Sequence, residues 1–205
     1  MVKVKVCGIT NLEDALCTIE AGADALGFNF YRKSVRYIEP EAARRIIEEL
    51  PLTVQCVGVF VNEETPEMVA RLASRAGVTA VQLHGDETPE FCHALSERFI
   101  IKALRVGVDF EPESACEYKV DAILLDAFAR ESRGGTGRVI DWTIARRVRE
   151  LVPKLFLAGG LSPDNVAAAV ATVNPYAVDA CSSLEHAPGR KDHARLRAFI
   201  NEVKR

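Results

Sequence analysis

Val2-Lys3-Val4-Lys5-Val6-Cys7-Gly8 alternates valine with lysine and then ends in a cysteine at a glycine. Alternation with this period belongs to a strand, with Val2, Val4 and Val6 on one face and Lys3, Lys5 and Cys7 on the other. A parallel strand covered by helices on both sides has no polar face, so two lysines and a thiol argue against an open sheet. A closed barrel suits the pattern, because polar side chains can turn into its lumen if they pair there.

Seven further apolar runs follow at intervals of roughly 20 to 30 residues: Ala25 to Phe30, Gln55 to Val61, Ala80 to His84, Phe99 to Leu104, Ala122 to Asp126, Leu155 to Ala158 and Ala177 to Cys181. Helix-like segments separate them: Asn11 to Ala21, Pro40 to Leu50, Pro66 to Ala76, Pro89 to Glu97, Asp141 to Leu151 and Pro163 to Val173, with a last one from Asp192 to Val203. Glu111 to Tyr118 is the weakest, being short with an early proline. Alternating strand and helix predicts a parallel sheet. Other runs repeat the parity of the first, with Gln82 and His84, Leu124 and Asp126, and Asp179 and Cys181 each sharing a face. The expected fold is therefore α/β: a closed, eight-stranded (β/α)8 TIM barrel, one domain over residues 1–205. At 205 residues the chain lies near the lower limit for this barrel, so its helices must be short. Lys5 requires an anion in such a lumen. Asp179 has the matching parity on the eighth run, next to the first in a closed ring, and the expected result is a Lys5–Asp179 ion pair.

With 48% hydrophobic and 27% charged residues and a formal net charge of −3, the chain can bury a full core and offers no basic surface for nucleic acid. The expected partner is a small molecule. No leader-like segment follows Met1 and no run approaches the ~20 apolar residues of a membrane span, which points to the cytoplasm and away from membranes. Cys7, Cys17, Cys56, Cys92, Cys116 and Cys181 show neither CxxC pairing nor metal-ligand spacing, so no metal is expected and most should be buried thiols. Scattered surface charge leaves monomer and homodimer both open.

Barrels of this type do their chemistry at the C-terminal ends of the strands, where the first run places Cys7 and the sixth Asp126. A cysteine at a strand end is most often a small buried hydrophobe. Cys7, however, shares its face with Lys5 and precedes Gly8-Ile9-Thr10-Asn11, where Asn11 can cap the next helix with Asp14 at its third position. A cation and amide groups nearby favour a thiolate. Asp126 is followed by a loop carrying Gly134-Gly135-Thr136-Gly137, which suits a lid better than a dinucleotide fingerprint. Gly159-Gly160, with Ser162 as the expected cap and Pro163 at the first helical position, and Ser182-Ser183 follow the seventh and eighth runs, where these barrels commonly bind phosphate.

Several of these stretches together resemble one family. Lys5-Val6-Cys7-Gly8-Ile9-Thr10, Gly22-Ala23-Asp24-Ala25-Leu26-Gly27-Phe28, Ser34-Val35-Arg36-Tyr37, Val81-Gln82-Leu83-His84-Gly85, Gly134-Gly135-Thr136-Gly137 with Asp141-Trp142, and Ala158-Gly159-Gly160-Leu161 are similar, in this order, to phosphoribosylanthranilate isomerases of tryptophan biosynthesis. The resemblance implies a cofactor-free barrel that converts N-(5-phosphoribosyl)anthranilate to its 1-deoxyribulose derivative by an Amadori rearrangement. It also implies Cys7 as general base, Asp126 as general acid and Arg36 as holder of the anthranilate carboxylate. His84, Gly159, Gly160, Ser182 and Ser183 are its further substrate-binding positions. The chain departs from the family pattern at Asn29, usually aliphatic, at Arg32 and Val35, usually prolines, and in Asp179-Ala180-Cys181-Ser182-Ser183-Leu184-Glu185. The family has Asp-Val-Ser-Ser-Gly-Val-Glu there, so Ser183 replaces a glycine and would be strained at positive φ. Two other readings stay open: the related histidine-pathway Amadori isomerase, which has an aspartate in place of Cys7, and a non-catalytic phosphate-binding barrel.

Overall fold

In the computed structural model, which describes residues 1–127 and 141–205, eight parallel strands form a closed ring in chain order. They are β1 (Lys3–Cys7), β2 (Ala25–Asn29), β3 (Gln55–Phe60), β4 (Ala80–Leu83), β5 (Phe99–Val106), β6 (Ala122–Ala127), β7 (Leu155–Leu157) and β8 (Ala177–Ala180). Between and after them run α1 (Leu12–Glu20), α2 (Pro40–Ile47), α3 (Pro66–Ala76), α4 (Pro89–His93), α5 (Trp142–Leu151), α6 (Val166–Val173) and α7 (His193–Lys204). The segment between β5 and β6 is only a 3₁₀ turn over Pro112–Glu117. The helices are short, as the length demands. Among the described residues none is long and apolar enough to cross a membrane.

The parity read from β1 is the parity of the barrel. Val4 and Val6 are wholly buried outward, in a large core with Leu26, Phe28, Phe60, Val69, Phe199 and Ile200 between sheet and helices. A second apolar cluster contains Ala25, Val57, Ala80, Ile101, Ala103, Ala122, Leu124, Phe156 and Ala177, all from the opposite face of their strands. Each fully buried Phe or Leu contributes roughly 1.5–3 kcal/mol. β8 closes on β1 with Lys5 opposite Asp179, while β2 lies on the other side with Gly27 opposite Cys7.

Asn11 caps α1 as its sequence predicts, accepting from the Asp14 amide at 2.9 Å and donating back to the Asp14 carboxylate at 2.7 Å. Three expectations need correction. Helix α6 begins at Val166 after Asn165, later than expected; Ser162 accepts the Asp164 amide on its hydroxyl at 3.3 Å and the Val166 amide on its carbonyl at 3.0 Å, so it caps the turn that precedes the helix and not the helix itself. Helix α4 ends at His93, four residues early, because the chain turns there towards β5. An antiparallel hairpin after β8, β9 (Glu185–Ala187) with β10 (Arg190–Lys191), is absent from the sequence reading. Gly134 to Gly137, the expected lid, lie outside the described residues.

Candidate active site

Lys5 and Asp179 meet in the lumen at 2.8 Å, with side chains 0% and 8% exposed. Burial opposes the Lys5 ammonium, but Asp179 and the sulfur of Cys7 outweigh it and raise the lysine's affinity for its proton. Asp179 itself is pushed up to about 7 by burial, against the pull of Lys5. Lys5 thus stays charged, with Asp179 as its ion-pair partner. Cys7 lies on the same lumen face of β1, and the neighbouring Cys181 outweighs burial and, with Lys5, Lys191 and His84, holds the Cys7 thiol well below its ordinary range.

The backbone makes room for this sulfur. A Cβ at Gly27 would stand 2.6 Å from Cys7 Sγ, so the facing strand position must be glycine. Gly8, at φ +79°, turns the chain out of β1, and a side chain there would strike Arg36 Cδ at 2.7 Å and Cys181 Sγ at 2.8 Å. Cys7 and Cys181 are half-buried at the mouth; Cys17, Cys56 and Cys92 are buried, and Cys116 is exposed.

Asp126, on β6, is buried in the same mouth and accepts from the Ala127 amide at 2.9 Å. His84 Nε2 lies 3.3 Å from its other oxygen. The amide nitrogen of Gln82 meets His84 Nδ1 at 2.8 Å, while His84 Nε2 makes no hydrogen bond among the described residues.

Arg36 is reached through a loop that Asn29 organises. The Asn29 side chain accepts from the Tyr31 amide at 2.9 Å and donates to Ser34 Oγ at 3.1 Å, and Ser34 Oγ accepts from the Arg36 amide at 3.1 Å. These bonds do the stiffening that prolines at 32 and 35 would otherwise provide. The Arg36 guanidinium is already forked onto Glu185, Nε to Oε1 at 2.9 Å and Nη2 to Oε2 at 2.7 Å. Lys191, 0% exposed at its side chain, donates to the same carboxylate at 3.0 Å and to the Cys7 carbonyl at 2.6 Å. Burial works against the Glu185 carboxylate, yet its bonds to Arg36 and Lys191 bring it below the ordinary range.

Glu185 and Lys191 are the site residues that sequence reasoning missed. A signal exists for them: Pro188-Gly189, with Gly189 at φ +73°, is a turn dipeptide flanked by opposite charges. Asp14 fixes the hairpin against α1, accepting from the Lys191 amide at 3.0 Å and contacting His193 Nε2 at 2.8 Å.

On the phosphate side, Gly159 and Gly160 both adopt left-handed backbone, φ +81° and +70°. Asn165 ties this loop, donating to the Gly160 carbonyl at 3.0 Å and accepting from the Ser162 amide at 2.9 Å. Ser183 is not among the residues of positive φ, so the feared strain is absent. Its hydroxyl donates to the Leu161 carbonyl and links the loops after β7 and β8. A cavity of about 520 Å³ lined by Lys3, Gln55, Phe99 and Tyr176 lies at the opposite, N-terminal end of the barrel, away from these groups.

A closed barrel with a thiol, two carboxyls, an imidazole and an arginine at the C-terminal ends of its strands belongs to the (β/α)8-barrel enzymes that work by acid–base chemistry on small molecules. The model of the family described as N-(5'phosphoribosyl)anthranilate (PRA) isomerase matches residues 4–202. An N-(5'-phosphoribosyl)anthranilate isomerase from Geobacter sp. (strain M21) is 53% identical over 205 residues, covering 100% of this chain and 99% of its own. The crystal structure of the phosphoribosyl anthranilate isomerase from Thermotoga maritima superposes with a TM-score of 0.93 at 49% identity, covering 100% and 99% of the two chains. A solved phosphoribosyl anthranilate isomerase in complex with reduced 1-(o-carboxyphenylamino)-1-deoxyribulose 5-phosphate is 48% identical, with a TM-score of 0.89 and coverage of 100% and 99%. The chain belongs to the N-(5'-phosphoribosyl)anthranilate isomerase family.

Proposed function

We propose that this chain carries out its family's reaction, the isomerisation of N-(5'-phosphoribosyl)anthranilate in tryptophan biosynthesis, with Cys7 as base and Asp126 as acid. The observation that carries the assignment of roles is the place of Cys7, on the lumen face of β1 with the buried Lys5 ammonium and across the ring from Asp126 on β6.

Asp126 delivers a proton to the furanose ring oxygen, and the ring opens to an iminium. The Cys7 thiolate then takes the C2' proton, giving an enolamine and a neutral thiol. The enolamine tautomerises to the ketone, and a proton passed from Cys7 to Asp126 through solvent resets the pair. His84 Nε2 stands 3.3 Å from the carboxylate that Asp126 becomes. Arg36 offers the substrate carboxylate the N–H groups that Glu185 leaves over, since a guanidinium has five. The phosphate lies against the loops of Gly159, Gly160, Ser182 and Ser183, where the Ser183 bond to Leu161 keeps the two loops together.

The test is Cys7→Ser with phosphoribosylanthranilate, followed by its fluorescence. Turnover should fall at least ~100-fold, with affinity within a few-fold, as for loss of a general base. An active Cys7→Ser enzyme would refute the role; phosphate binding without turnover in the natural chain would favour a non-catalytic barrel.

A further inference from the structure

The mechanism above gives no work to the buried ion pair of Lys102 and Glu87. Ile101 and Ala103 of β5 belong to the lumen cluster, so Lys102 between them points the other way, into the helix layer with Ile100. There its ammonium meets Glu87 Oε2 at 2.7 Å, with side chains 1% and 2% exposed, and stands 5.7 Å from the centre of the Tyr118 ring. Taking two charges this far from water costs about what their attraction returns, and apolar residues of similar volume often serve stability as well. Stability alone therefore does not account for the pair.

Its bonds show what it holds. Gly85, the residue after His84, donates its amide to Glu87, at 2.9 Å to Oε2 and 3.1 Å to Oε1, and accepts from Lys102 Nζ on its carbonyl at 2.8 Å. One ion pair thus clamps both polar groups of one backbone residue. The Asn62 amide also donates to Glu87 Oε1 at 2.8 Å, which ties in the loop after β3 at a residue with left-handed backbone, φ +52°. The Asn62 side chain accepts from the Asp86 amide at 2.6 Å, and Asp86 pairs with Arg105, which shares the lumen parity of Ala103. A side chain at Gly85 would collide with that of Asn62, so the clamped position must be glycine. β5 grips the loop after β4 from both of its faces, and His84 enters that grip. Its ring meets Gln82 at Nδ1, 2.8 Å away, and Nε2 stands 3.3 Å from Asp126 Oδ2.

We propose that Lys102 and Glu87 are positioning residues for the reaction: by clamping the Gly85 backbone they hold the His84 imidazole against the carboxyl of Asp126. The inference rests on the reading of Asp126 as the acid. Lys102 acts through the loop, from the helix side of the sheet, and not on the reacting atoms.

The experiment measures kcat, KM and Tm for the natural chain, Lys102→Met, the double variant Lys102→Met with Glu87→Gln, and Ile100→Ala, at a temperature where circular dichroism shows each one folded. Lys102→Met strands the Glu87 carboxylate and should lower both Tm and kcat, kcat about tenfold, while KM changes less than about threefold. The double variant strands no charge, and its glutamine oxygen still accepts from the Gly85 and Asn62 amides. It should recover most of the Tm but not kcat, because the Gly85 carbonyl still lacks the ammonium; if Lys102→Met does not fold, this variant carries the comparison. Ile100→Ala opens a cavity on the same face of β5 and should lower Tm without lowering kcat. The Cε1–H NMR signal of His84, identified by its loss in His84→Ala, should move in both Lys102 variants and stay in place in Ile100→Ala. A kcat that returns with Tm in the double variant, a fall in kcat as large in Ile100→Ala, an unmoved His84 signal, or a rise in KM alone overturns the inference and leaves Asp126 its role. Full activity in Asp126→Asn overturns that role and, with it, any service of the pair to the reaction.

Discussion

Replacing Glu185 by glutamine tests the charged cluster that the sequence did not reveal. The variant keeps the shape but removes the anion between Arg36 and Lys191. Lys191 is then an ammonium 0% exposed at its side chain, left with neutral acceptors only, the amide oxygen at position 185 and the carbonyls of Cys7 and Cys181 at 2.6 and 3.3 Å. Removing one partner of a buried ion pair costs about 3–5 kcal/mol, and the carbonyls that remain place this case near the low end, ~3 kcal/mol. For a chain of this size that is a fall in Tm of roughly 6–12 °C. The sign of the pH dependence is fixed by the depressed Glu185 carboxyl. Its contribution is complete above the ordinary carboxylate range, near 4.3, and is lost as pH falls through the lower folded-state value. Thermal unfolding followed by circular dichroism should therefore show the full gap between natural chain and Glu185→Gln at pH 7 and a shrinking gap towards pH 3. Lys191→Met supplies the cycle: the double variant should lose less than the two single losses added, by at least ~1 kcal/mol, because the stranded charge is gone. A gap under about 2 °C at pH 7, or one that does not shrink in acid, would refute the reasoning, since the cluster would then behave as an exposed pair.

Arg36→Ala should raise KM by a factor matching the ~2–3 kcal/mol of a charge-assisted pair and weaken the anthranilate-containing product equally; steady-state kinetics and product inhibition check it. Lys5→Met removes the cation beside Cys7, so the midpoint for alkylating Cys7 should rise by at least about one unit, and an unmoved midpoint would mean the ammonium does not act on the thiol. Ser183→Gly should leave substrate binding nearly unchanged, because the position needs no positive φ, while the lost bond to Leu161 and the added chain freedom cost about 1 kcal/mol. Titrating substrate or sulfate against both forms decides this, and sharply tighter binding by the glycine variant would show that the natural loop is impaired.

The barrel was legible because parity is a short-range property. Lys3, Lys5 and Cys7 alternate with valines, so one look at β1 separates lumen from helix layer, and the same alternation in β8 puts Asp179 in reach of Lys5. Closure follows from needing to pair that ammonium, and the 2.8 Å contact is its result. Helix ends were less legible. Ser162-Pro163 has the residues of a helix start, yet the amide-bearing side chain of Asn165 bonds both Gly160 and Ser162 and holds three more residues in a turn. Local preference favoured one start and the neighbouring loop favoured another, and the loop prevailed.

The loops at the mouth set the limit of what sequence alone yields. Arg36, expected to hold the substrate's anthranilate carboxylate, is itself seated by a carboxylate of the protein, that of Glu185, 149 positions further along the chain. Nothing local joins those positions; they meet because β8 returns to β1 beside β2, so the loops after β2 and β8 both overhang Cys7. The same closure brings Lys191 from the hairpin to the Cys7 carbonyl and to the Cys181 sulfur. A closed ring thus makes its first and last strands neighbours, and the residues around Cys7 are drawn from the two ends of the chain. Side chains such as Cys181, Glu185 and Lys191 gain their meaning only at that seam, which explains why the partners of Cys7 were harder to read than Cys7 itself.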